Sequence, residues 1–129
     1  MKYTQFLAVA LFFSIFSCER VQKKTADIKS FITGTYVHSF NGEYASGHDT
    51  LFILQPDKDN NFYTIRHSGS FQRVIEKHVR PIEYKSELWT AIFNEESNML
   101  LEQKKGKQVH FFPEKNSLLL GTGEFKKIE

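Results

Sequence analysis

Five histidines, His38, His48, His67, His78 and His110, are the residues of this 129-residue chain best suited to acid–base or metal chemistry. No two have the i, i+2 strand spacing or the i, i+4 helical spacing that sets two imidazoles on one face. A metal centre would need ligands gathered from distant strands, so the sequence implies no metal and no cofactor. His67-Ser68-Gly69-Ser70 places a base beside two hydroxyls, yet adjacent strand residues point to opposite faces, and a turn explains the segment better. Glu83, Glu87, Glu95 and Glu96 fall at strand starts and turns, and nothing in the sequence pairs two of them across a cleft. No Gly-x-Ser-x-Gly elbow and no glycine-rich loop opening a helix is present; Gly121-Thr122-Gly123 reads as a hairpin turn.

The aromatic residues are the other source of chemistry. With 13 Phe, five Tyr and one Trp, most must fill a core, and Trp89 with its strand neighbour Phe93 is the expected wall of a small apolar pocket. Arg66 and Arg73 are placed at the mouth of that pocket, although arginines also lie along surfaces with their heads in water.

These side chains must be positioned by strands. From Thr33 onward, β-branched and aromatic runs are broken by Gly, Asn, Asp and Pro about every 8–12 residues. The expected strands are Thr33 to Phe40, Thr50 to Gln55, Asn61 to His67, Phe71 to His78 and Tyr84 to Phe93. Four shorter ones follow, Met99 to Gln103, Gln108 to Phe112, Ser117 to Leu120 and Glu124 to Ile128. The polar connectors Asn94 to Asn98, Lys104 to Lys107, Pro113 to Asn116 and Gly121 to Gly123 have hairpin length, so consecutive strands are antiparallel neighbours. The fold class is all-β: an antiparallel meander that forms a small up-and-down barrel or stops as a half-barrel. Leu88, Thr90 and Ile92 lie on one face of their strand, and Trp89, Ala91 and Phe93 on the other. Apolar residues on both faces of several strands point to a lined cavity or a packed neighbour.

The N-terminus differs from the rest. Residues 6–16 carry no charge and hold four of the 13 Phe, and Lys2 precedes them. Eleven residues are too few for the roughly 20 of a membrane-crossing helix, so the run reads as a secretory signal. Ile15-Phe16-Ser17-Cys18 resembles the bacterial lipobox, with an aliphatic residue at minus three and a small one at minus one before Cys. That resemblance implies lipidation of Cys18 after removal of residues 1–17, with the protein held on the membrane by its N-terminal lipid, most simply at the outer membrane. The expected parts are a signal peptide over 1–17, a lipidated Cys and polar tether over 18–32, and a β domain over 33–129. A short helix from Thr25 to Phe31 is the alternative to a plain tether. Cys18 is the sole cysteine, so the exported part has no disulfide and no thiol nucleophile. Without residues 1–17, 112 residues carry 16 Lys and Arg against 15 Asp and Glu, a near balance that argues against a nucleic-acid partner.

Two further resemblances bear on the β domain. Gly34-Thr35-Tyr36 is similar to the opening of lipocalin-like domains, where a Gly-x-aromatic on the first strand closes one end of the barrel. With the lipobox and the meander, the chain resembles small lipocalin-like lipoproteins of Gram-negative, Bacteroides-type bacteria. Asp49-Thr50-Leu51 resembles the O-glycosylation acceptor of such bacteria, which implies a modified and exposed Thr50. The expected function is a non-enzymatic envelope binding or interaction module, for a hydrophobic small ligand or an envelope protein. The alternative is a small hydrolase or lyase using His67 or His78 with nearby carboxylates.

Overall fold

The computed structural model describes residues 27–129; the expected signal segment, Cys18 and the first part of the expected tether lie outside the described residues. Among the described residues nine strands run in chain order: β1 (Gly34–Asn41), β2 (Ala45–Leu54), β3 (Phe62–Ile75), β4 (His78–Val79), β5 (Glu83–Asn94), β6 (Met99–Glu102), β7 (Gln108–Phe112), β8 (Ser117–Leu120) and β9 (Gly123–Lys127). Consecutive strands pair antiparallel except β4 and β5, both of which pair β3, and β9 returns to β1 through Tyr36 opposite Lys127 and Val37 opposite Lys126. The meander therefore closes into an eight-stranded barrel, with β4 a two-residue hairpin arm on β3.

Alternation decides what faces inward. On β5, Trp89, Ala91 and Phe93 are buried while Leu88 and Ile92 stay 71% and 44% exposed, so the Trp89 face is the interior one. Tyr36, Leu51, Ile65, Leu100, Val109 and Leu118 fill the same interior from their own strands. The connectors form the turns expected of them: the Asn94 side chain accepts from the Glu96 and Ser97 amides, and Asn116 takes a left-handed φ of 53°.

Two elements differ from expectation. Asn61 to His67 and Phe71 to His78 are not two strands; β3 is one 14-residue strand that runs straight through Ser68-Gly69-Ser70. That segment is paired on both sides, Gly69 with Asp49 of β2 and with Lys85 of β5, and so has no freedom to turn. The glycine is there for space: a Cβ on Gly69 would fall 2.5 Å from Asp49 Oδ1. Secondly, the stretch taken as tether is helical over residues 27–32. Ile28 and Ile32, four apart and so one above the other on a helix, enter the core.

This helical turn seals one end of the barrel. The Tyr36 hydroxyl donates to the Phe31 carbonyl at 2.6 Å and the Ile32 carbonyl at 3.1 Å, and Lys127 Nζ donates to the Phe31 carbonyl at 2.7 Å. Carbonyls at a helix end lack intrahelical donors, and here two side chains from β1 and β9 supply them. Burial pushes the Tyr36 phenol well above its usual range and draws the Lys127 ammonium below its own. Gly34 has a φ of +141°, where a Cβ would overlap the Glu129 carbonyl oxygen; this lets the chain ends cross closely beside the seal. Tyr36 thus ties the helical turn to β1 at this end of the barrel.

Candidate functional site

The opposite end is open, and strand lengths explain its shape. β2, β3 and β5 have 10, 14 and 12 residues, whereas β6 to β9 have four or five each. Above the sealed floor the long strands continue as a tall wall, and the short ones end in turns around a low rim. Between them lies a cup of about 700 Å³. Inward positions of the wall and rim supply its lining: His38 and Phe40 from β1, Asp49 from β2, His67 from β3, Trp89 from β5 and Phe125 from β9. The rest of the rim includes Lys107 and the Gly121 to Gly123 turn.

One polar chain crosses the wall. His67 lies directly opposite Glu87 on β5 and one pair diagonally from Asp49 on β2. His67 Nε2 is 3.1 Å from Asp49 Oδ1; a carboxylate can only accept, so this nitrogen carries the proton. His67 Nδ1 is fully buried, 4.0 Å from Glu87 Oε2 and with no hydrogen-bond partner. Glu87 in turn accepts the Trp89 indole N–H at 3.0 Å. That hydrogen bond is the main cause holding the Glu87 carboxyl below its usual range; partial burial opposes it, and Lys85 at 3.4 Å adds to the lowering. The imidazole of His67 and the indole of Trp89 lie 5.0 Å apart, so the chain of polar contacts and the aromatic wall are one structure.

Two more groups reach the cup. His38 Nδ1 is 2.8 Å from the Glu124 carbonyl, which can only accept, so the proton sits on Nδ1. In the neutral ring Nε2 is then a free acceptor, with no hydrogen-bond partner among the described residues. The Lys107 ammonium lies 3.9 Å from the centre of the Trp89 ring. It makes no ion pair among the described residues. The turn that carries it is fixed from beneath by Glu102, a 4% exposed carboxylate that accepts the amides of Lys104, Lys105 and Lys107 at 2.9, 2.7 and 3.4 Å. Burial alone would raise the Glu102 carboxyl; those three backbone donors outweigh it and leave it below its usual range.

The residues singled out from sequence divide accordingly. Trp89 lines the cup, but Phe93 is 2% exposed in the core below it, with the Lys29 ammonium 5.5 Å from its ring. Arg66 pairs with exposed Leu88 on the outer face, pointing away from the cup, because it alternates with His67. Arg73 lies four residues farther along the wall than Gly69, bound to Glu83 at 3.1 Å and stacked over Phe71. Thr50 is not at a strand start; it is mid-strand on β2, half-buried between Val37 and Ser68. His78 sits on the exposed β4 arm, His48 bonds Ser39 Oγ at 2.8 Å, and His110 borders the cup from β7. Among Glu83, Glu87, Glu95 and Glu96, only Glu87 joins the polar chain; Glu95 pairs with Lys29. Among the described residues no group of three or more His, Cys, Asp and Glu is placed to hold a metal ion.

Asp49 and His38 are the site residues that sequence reasoning missed. Asp49 reads locally as a turn aspartate, and only the β2–β3 register brings it to His67. His38 carried one usable signal, its i, i+2 alternation with Tyr36 and Phe40, which marks it as inward-facing. Comparison of the chain with known protein families, with curated proteins and with solved structures returns no match.

Proposed function

We propose that the chain is a lipid-anchored envelope protein whose barrel binds a small, largely apolar molecule in the open cup. The observation that carries this reading is the cup itself: about 700 Å³, walled by Phe40, Trp89 and Phe125 above a packed floor. Small-molecule sites fall at about 300–1,000 Å³ and combine apolar walls with a few placed polar groups. His38, Asp49 and Lys107 are such groups here. Trp89 is the only tryptophan, so its fluorescence reports occupancy directly. Titration with a set of short amphiphiles should change that emission saturably for at least one of them, and a flat response to all would remove the reading.

The anchoring half of the proposal rests on Cys18 and has its own test. Radioactive palmitate should label the wild-type chain in cells and leave Cys18→Ala unlabelled; label retained in the variant would place the lipid elsewhere.

A second reading, a hydrolase or lyase, is favoured by one observation, an imidazole nitrogen that opens on the cup. That nitrogen belongs to His38. His67 has one nitrogen bonded to Asp49 and the other buried, and His78 is remote on its arm. No hydroxyl is hydrogen-bonded to His38 among the described residues, so the chemistry on offer is proton transfer by His38 Nε2.

A further inference from the structure

We infer that the molecule held in the cup is a cationic amphiphile: an apolar body against the aromatic wall and a protonated amine at Asp49. This deepens the reading of the cup as a ligand site and rests on it.

On the wall of the cup Asp49 and His38 offer acceptors, while the side-chain donors Lys107, Gln108 and Thr122 stand on the rim. Asp49 gives one oxygen to His67, and its other oxygen has no partner among the described residues; its side chain is 28% exposed, toward the cup. Neutral His38 adds an acceptor nitrogen from β1. The Phe40 ring, 6.2 Å from His38 and partly exposed, adds a π system at the lip, which attracts cations rather than anions. With Asp49 and Glu87 ionised and Lys85 3.4 Å from Glu87, the group carries minus one when the His67 imidazole is neutral and zero when it is protonated, and never a net positive charge. Lys85 answers Glu87 from the outer end of the wall, half-exposed, which leaves Asp49 as the anion facing the cup.

Lys107 is the independent observation. Its ammonium lies 3.9 Å from the centre of the Trp89 ring, so this wall already holds a positive charge, with the Glu102 carboxylate beneath the turn also attracting it. Lys107 is carried on a turn, not on the wall, and a ligand amine entering the cup would meet it as a like charge. An anionic ligand would make the opposite demand: Lys107 would be its partner and Asp49 its obstacle.

Three probes of one length separate the cases: octylamine, octanoate and octanol, titrated at low ionic strength against Trp89 fluorescence. The inference expects octylamine to bind at least about tenfold more tightly than octanoate, with octanol between them. Asp49→Asn should weaken octylamine about tenfold and leave octanol within about twofold. Lys107→Gln should tighten octylamine by a few-fold relative to octanol. Octanoate binding tightest, or octylamine insensitive to Asp49→Asn and weakened by Lys107→Gln, overturns the cationic ligand while leaving the cup a binding site. No response to any probe overturns both. Should Asp49→Asn fail to fold, the rank of the three probes on the wild-type chain and the direction of the Lys107→Gln effect decide between the two charges.

Discussion

Gly69 stands opposite Asp49 across β2 and β3, and the space where its side chain would be holds the Asp49 carboxylate. One missing Cβ thus permits the hydrogen bond from His67. Gly69→Ala should lower stability by about 1–3 kcal/mol, the usual cost of forcing atoms into an occupied site. Urea unfolding measures the loss. The same variant should move the 15N shift of His67 Nε2 as its bond to Asp49 is stretched; an unchanged shift would mean the carboxylate has another place to go.

Trp89 acts on Glu87 through a single hydrogen bond. Trp89→Phe removes the N–H that does most to favour the ionised carboxylate, so the Glu87 carboxyl should titrate at higher pH in the variant than in the wild type. Carbon-13 NMR of the glutamate carboxyls follows this directly. The shift should be upward, and it should be absent from Glu124, whose lowering comes first from Lys126 on the other side of the barrel.

The seal at the closed end makes a paired prediction. Tyr36→Phe keeps the ring and its edge-on contacts with Phe31 and Phe111 but removes the donor to two helix-end carbonyls. The expected loss is about 1–2 kcal/mol. Lys127→Met removes the other donor to the Phe31 carbonyl, so the two substitutions share an acceptor and their effects should not add. A double-mutant cycle by chemical denaturation tests this, and strict additivity would show that each donor has a replacement.

Glu102 links stability to acidity. Its carboxyl is lowered in the folded protein, so between the folded and unfolded values the unfolded chain binds more protons. The contribution of Glu102 is therefore complete above the ordinary carboxylate range and is lost as pH falls through the folded value. Glu102→Gln should be less stable than wild type at pH 7, by about 1–3 kcal/mol from three weakened bonds to backbone amides. The gap should narrow as pH falls from about 5 toward 3, around and below the ordinary glutamate value of about 4.3. Guanidinium unfolding across that range measures it; a constant gap would assign the effect to packing.

Much of the barrel was legible in the chain. The Leu88 to Phe93 alternation gave the inward face of β5, and the four late turns gave its antiparallel order, because both are local properties of adjacent residues. Closure was not legible, since it depends on Tyr36 meeting Lys127 across most of the chain length. The same limit explains β3: Ser68-Gly69-Ser70 has the composition of a turn, and only the strands on either side show why it stays extended. It explains the helical turn too, where two isoleucines in a polar stretch carry too weak a period until a barrel end is present to receive them. Of the site, Trp89 and His67 could be picked out by residue type. Their partners Asp49 and Glu87 come from neighbouring strands by register, and Arg66 was misplaced because one step along a strand reverses the direction of a side chain.

A closed barrel has no strand edges, yet this one regains them above its floor. β1 beyond Val37 has only β2 beside it, and β5 before Thr90 has only β3. The cup end is thus a free-standing sheet of four strands rising from a sealed ring, with no strand beside either margin among the described residues. In the ring every strand has a neighbour on both sides, whereas in the rising sheet β1 and β5 each keep one margin without a neighbouring strand, so the two ends of one barrel differ in how completely their backbone is paired.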